Sequence, residues 1–194
     1  MANSTYTFAG WERAALAAEK VQERLLRSTA ALERAGVAYA VVGGNAVAEW
    51  VGRVDEDAVR NTRDVDILIR RDDLEAVKAA LTPVGFVYCQ SFGVNMFLDG
   101  PEGRPAVKLL FTGEAVRPGQ QPITTDVSDS ELCDHYRVVS LLALVTMKLI
   151  CFRLIDRVHL RDLIGVGQID ATWPARLPPI LAARLQELLD NPNG

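Results

Sequence analysis

The sequence is poor in the residues that would place it in several common classes. Only three cysteines, Cys89, Cys133 and Cys151, occur in 194 residues, and no Cys-x-x-Cys pair is among them. They cannot all pair with one another, so a disulfide scaffold is excluded and a reducing compartment is expected. Two histidines, His135 and His159, are too few to build a zinc-enzyme site on their own. A basic excess is also missing: 21 Lys and Arg against 25 Asp and Glu give a net charge of -4, with no general footprint for nucleic acid or anionic membrane. Any RNA-binding surface has to be local. The most apolar run, Val138 to Phe152, is 15 residues long and contains Lys148, which falls short of a membrane span. Residues 1–10 lack a basic segment leading into an apolar core, so no secretory signal is read and the expected location is cytoplasmic. Repeats and low-complexity tracts are absent as well.

What is present is the composition of an ordinary globular domain with one main core, 49% hydrophobic and 24% charged. From Trp11 to Ala35, Ala14, Ala18, Val21, Leu25 and Leu32 recur at helical spacing, and Gly36 follows as a stop. Trp11, Ala18, Val21 and Leu25 are read as core, and so are Trp50 and Trp173 unless they meet another subunit. Val37 to Val42 is a short apolar run ending in Gly43-Gly44, after which Asn45 to Val51 resumes a helical pattern. Asp64 to Ile69 alternates, with Asp64, Asp66 and Leu68 on one face and Val65, Ile67 and Ile69 on the other. Asp72-Asp73 offer an N-cap to a helix whose inward residues are Leu74, Val77, Ala80 and Leu81.

Val84 to Cys89, Val94 to Leu98 and Ala106 to Phe111 read as strands, the last two joined as a hairpin through Asp99 to Pro105. Gly113 to Glu131, with Pro118, Gly119 and Pro122, reads as a linker. Val138 to Ile155, Leu160 to Val166 and Pro178 to Leu189 read as helices. The expected fold class is α/β (α+β), a small mixed sheet flanked by helices. Its expected division is a core over residues 1–112, a linker over 113–136 and a C-terminal helical segment over 137–194 that packs on the core. That architecture names no function by itself.

Two local patterns carry chemistry. Gly43-Gly44 stands where a strand passes into a helix, where small residues let backbone N–H groups approach a phosphate. A plain tight turn would look the same. Asp64 and Asp66 leave one face of their strand with Cα atoms roughly 6.5 to 7 Å apart. Two such carboxylates can share a Mg2+ ion, or clamp two ions about 3.5 to 4 Å apart during phosphoryl transfer. Solvated Asp-x-Asp pairs at strand edges are common, but here they interrupt an apolar strand, which costs burial.

Taken in order, residues 35–46, including Val42-Gly43-Gly44-Asn45-Ala46, and residues 60–68, Arg-Asn-Thr-Arg-Asp-Val-Asp-Ile-Leu, resemble the nucleotidyltransferase superfamily of DNA polymerase beta type. Within it they are most similar to the AbiEii and related minimal nucleotidyltransferases of toxin–antitoxin and phage-defence systems. Met147-Lys148-Leu149 and residues 156–163, Asp-Arg-Val-His-Leu-Arg-Asp-Leu, resemble the Lys and Arg-Asp motifs of that type. The resemblance implies the nucleotidyltransferase fold and transfer of a nucleoside monophosphate from an NTP with Mg2+ or Mn2+. It implies Gly43, Gly44 and Asn45 at the phosphates, Asp64 and Asp66 at the metal, and Lys148 and Asp162 at the triphosphate and in catalytic closure. The acceptor it leaves open is a tRNA 3′ end, a protein or a small hydroxylated molecule, and a toxin or antitoxin partner belongs to the same picture.

One position departs from that pattern. Where a later strand of the superfamily supplies a third carboxylate, residues 106–111 read Ala-Val-Lys-Leu-Leu-Phe, with Lys108 at the expected place. By alternation Lys108 shares a face with Ala106 and Leu110. Lys108 then stands in for a second ion at the nucleotide, or the protein is a catalytically impaired nucleotide-binding or partner-binding relative, or the strand is misaligned. Lys148 has an argument of its own, as the single charge between Val138 and Phe152, which requires either a phosphate contact or a structural partner such as Asp162. Arg153, Arg157 and Arg161 read as a solvated basic face and His159 as structural.

Overall fold

A computed structural model describes residues 9–115 and 125–191. Pro118, Gly119 and Pro122 of the expected linker lie outside them. Strand β2 (Val65–Ile69) is the centre of the architecture. Its alternation divides two cores: Val65, Ile67 and Ile69 pack in one, Leu68 in the other. Around it stand β1 (Ala40–Val42), β3 (Phe86–Ser91), β4 (Val94–Asp99), β5 (Pro105–Phe111), β6 (Ser130–Leu132) and β7 (Arg137–Val139). They form one seven-stranded sheet in the order β3-β4-β5-β2-β1-β7-β6. Pairing is parallel at β2–β5 and β1–β7 and antiparallel elsewhere, which makes the mixed sheet that the residue patterns lead one to expect.

One face is covered by α1 (Ala9–Arg34) and α3 (Leu74–Leu81), whose Leu32, Val77 and Leu81 are fully buried against the β2 and β5 side chains. The other is covered by α2 (Gly43–Gly52), α4 (Leu141–Cys151), α5 (Leu154–Gly165) and α6 (Pro179–Asp190), with Leu144, Leu149, Leu160, Leu163 and Leu185 fully buried. Each such leucine contributes about 1.5–3 kcal/mol. Trp173 belongs to this second core, and Trp50 packs at its border with its indole N–H donating to the Val139 carbonyl at 3.0 Å.

Several local expectations are corrected. Trp11 is 83% exposed, and Ala14 is exposed too; burial on α1 starts with Val21. At ~1.5 Å per residue this helix is roughly 39 Å long, and only its C-terminal part faces the sheet. Asp73 makes no side-chain cap, because a 3-10 turn over Arg71–Asp73 already carries the chain into α3. Val138 and Val139 are strand, not helix, and the run then divides at Phe152, whose φ of 48° ends α4. Ser140 starts α4 by accepting the Ala143 N–H at 3.3 Å. Ala106 is a bulge residue between the Phe97–Val107 and Leu98–Pro105 pairs, so alternation fails there and its side chain joins the opposite core from Leu110. No helix among the described residues is long and apolar enough to cross a membrane.

Candidate active site

The register of β1 on β2 places Val42 opposite Asp66, and the chain turns into α2 at the next residue. Gly43 takes φ +69°, and a Cβ built there would lie 2.1 Å from Asp66 Oδ2. At Gly44 a Cβ would lie 2.7 Å from Thr62 Oγ1. The two glycines therefore do more than turn the chain: they let a carboxylate and a hydroxyl close directly on the backbone. Val42 offers no side-chain cap, so the N–H groups at the start of α2 lack a side-chain acceptor there.

Asp64 and Asp66 both line a cleft of about 610 Å3, together with Gly43, Gly44, Lys108 and Lys148. Burial pushes the Asp66 carboxyl up to about 6, against the pull of the Lys108 and Lys148 ammonium groups. Lys108 sits in register with Asp66 on the neighbouring strand and donates to Asp64 Oδ2 at 2.5 Å. Asn45 is buried and turned away from the cleft: its amide donates to the Asp64 carbonyl oxygen at 2.8 Å, which braces the backbone under the Asp-x-Asp pair.

Lys148 is buried and pairs with Asp156 at 3.2 Å, so its partner lies one turn into α5 and is not Asp162. Arg153 completes this cluster, with Nε 2.6 Å and Nη2 3.1 Å from the Asp156 carboxylate, while the Arg153 backbone N–H donates to it at 3.2 Å. Burial drives the Asp156 carboxyl up, and Arg153 and Lys148 together outweigh it and hold it below the usual range. Asp162 instead takes the Arg60 guanidinium at 2.7 Å and does not line the cleft. His159 borders the cleft with its Nδ1 buried and unpaired within the protein; burial and then the Lys148 charge lower it to about 4.

Asp156 is the residue that sequence reasoning missed as a site member. Its signal was its place three residues after Arg153, at the position where a carboxylate closes back on a helix start. Arg153 also leaves the solvated face expected of it, while Arg157 and Arg161 reach Glu187 and the Asn191 carbonyl at the end of α6. In the cleft wall Arg60, Arg63, Arg71, Lys108, Lys148 and Arg153 are six cations against the four acids Asp64, Asp66, Glu114 and Asp156. A chain of net charge -4 thus carries a locally positive groove.

No protein-family model matches the chain, and no curated protein matches it in sequence. Solved structures do. An antigenic nucleotidyltransferase-like protein from Paracoccidioides brasiliensis superposes with a TM-score of 0.57 at 16% identity, over 89% of this chain and 88% of that one. The antibiotic-resistance factor ANT(2'')-Ia gives a TM-score of 0.52 at 13% identity, over 87% and 91%. The same factor in complex with adenylyl-2''-tobramycin gives 0.51 at 12%, over 83% and 94%. The chain has the nucleotidyltransferase fold.

The donor set at Asp64 and Asp66 suits a hard cation. Both carboxylates reach the cleft, and Mg2+ is commonly held by one or two carboxylates plus phosphate and water oxygens. No group of three His, Cys, Asp or Glu side chains suited to a metal occurs among the described residues. The residues present fit a cation shared with a phosphate ligand.

Proposed function

We propose that the cleft binds a nucleoside triphosphate together with Mg2+ or Mn2+ and transfers the nucleoside monophosphate to an acceptor hydroxyl, the new O–P bond to the α-phosphorus replacing the α–β phosphoanhydride bond and pyrophosphate and the hydroxyl proton being released. The observation that carries this reading is the closure of Asp66 on Gly43 at the uncapped start of α2, inside a positively charged cleft. Asp64 and Asp66 hold the cation, which when bound would neutralise phosphate charge and orient the reacting group. The Gly43 and Gly44 backbone can approach phosphate oxygens without a side chain in the way. Lys148 and Arg153, fixed by Asp156, keep positive charge on the cleft floor. Phosphoryl transfer asks little more of a protein than such positioning and neutralisation.

On the sequence motifs alone we propose an AbiEii-like, cytoplasmic toxin role, with a tRNA 3′ end, a protein hydroxyl or a small hydroxylated molecule as acceptor and a toxin or antitoxin as partner. The Lys108–Asp64 pair favours a second reading, a nucleotide-binding or partner-binding protein with impaired turnover. Calorimetry tests the shared part: NTP affinity should collapse without Mg2+ and in Asp66→Ala. Equal metal-free affinity in both proteins would overturn it. Incorporation of label from α-labelled NTPs into cell extract or purified RNA separates the two readings.

A further inference from the structure

Lys108 and Asp64 form an ion pair at 2.5 Å with side chains 37% and 33% exposed. A pair that open contributes little to stability, so folding does not account for it. The next pair on the same face of these two strands shows what this face otherwise takes: Leu68 and Leu110 are in register, Leu68 buried in the α2–α4 core and Leu110 packed against it. Two residues earlier on each strand the register sets Lys108 beside Asp66, with Asp64 accepting its ammonium, and all three line the cleft. Two carboxylates and one ammonium leave a single negative charge, enough to attract one divalent ion. A second ion would be placed against the ammonium at short range and would have only Asp64's shared carboxylate to hold it.

We propose that Lys108 is a resident counter-ion of this site, standing in for a second divalent cation beside Asp64, so that a nucleoside triphosphate is bound with a single divalent ion. The proposal rests on the nucleotide reading for its second half only; competition between Lys108 and metal for Asp64 is a property of the chain alone.

Free Mn2+ is counted by electron paramagnetic resonance while the full chain is titrated, first with MnCl2 alone and then with MnCl2 at saturating α,β-methylene-ATP. Wild type is expected to bind one Mn2+ per nucleotide, and Lys108→Asp two. With MnCl2 alone, Lys108→Gln is expected to bind at least about tenfold more tightly than wild type, because Asp64 is released from its ammonium. Two ions in the wild-type complex, one ion in a folded Lys108→Asp complex, or unchanged metal affinity in Lys108→Gln each overturn the proposal. If Lys108→Asp does not fold, the wild-type count and the Lys108→Gln titration decide it. Absence of nucleotide binding by the wild type counts against the proposed function, while the metal-only comparison still reads Lys108.

Discussion

The Asp66 carboxylate occupies the space that a side chain on Gly43 would need, with Oδ2 2.1 Å from the Cβ position. Gly36 offers an internal control, since its φ of +66° nearly matches the +69° of Gly43 and nothing lies within 4 Å of its Cβ position. Gly36→Ala should cost about 1–2 kcal/mol from the left-handed backbone alone. Gly43→Ala should cost clearly more and displace Asp66, so divalent-ion binding is lost as well. Chemical denaturation of both variants, with metal titration of whatever remains folded, checks the difference; equal costs would mean that Asp66 moves aside freely.

Asp156 is anchored twice, which sets an order among its variants. Lys148→Met leaves the carboxylate with Arg153 and should cost about 2 kcal/mol, below the 3–5 typical of a buried charge stripped of its partner. Asp156→Ala strands a buried ammonium and removes the closure at the start of α5, and should cost about 3–5 kcal/mol. The double variant should be less destabilised than the sum by at least about 1 kcal/mol. Additive losses in urea melts would show that Lys148 and Asp156 act independently.

His159 gives a pH signature. Its folded value near 4 lies below its ordinary 6.5, so the unfolded chain binds the proton first and stability falls as pH drops from about 6.5 to 4. Asp66, raised to about 6, acts with the opposite sign, because protonating it on the way down relieves a buried charge. Lowering the pH from 7.5 to 5 should therefore lower the melting temperature of wild type more than that of His159→Gln, in which the Asp66 gain is left unopposed. A steeper acid loss in the variant would contradict the buried neutral imidazole.

Along α1, stability should depend on position. Trp11→Ala should change stability by less than about 0.5 kcal/mol, and Leu32→Ala, fully buried, should cost about 2–5 kcal/mol. Thermal melts of both variants read this directly, and a large effect at Trp11 would reveal a contact that the monomer does not contain.

Much of the sheet was legible because β2 carries its two-sided pattern in five residues, and the Gly-Gly turn and Asp-x-Asp pair stand close in sequence. Strands β6 and β7 were not legible: at three residues each they are too short to show a period, and β7 was absorbed into the apolar run of α4. The partner of Lys148 was missed for a related reason. A continuous helix through 138–155 would carry Asp156 onward along the same axis, whereas the break at Phe152 turns it back against Lys148.

The sequence by itself determined which residues alternate, which turns need glycine and where charge interrupts apolar segments, since these depend on neighbours a few positions apart. Only the tertiary structure decided that Lys108 meets Asp64 across 44 residues, that Asp162 belongs to Arg60 across 102, and that Asn45 braces a carbonyl. Strand order and helix direction set those pairings. Each charge has several partners of similar energy available along the chain, and only the packed sheet brings one of them within hydrogen-bond reach.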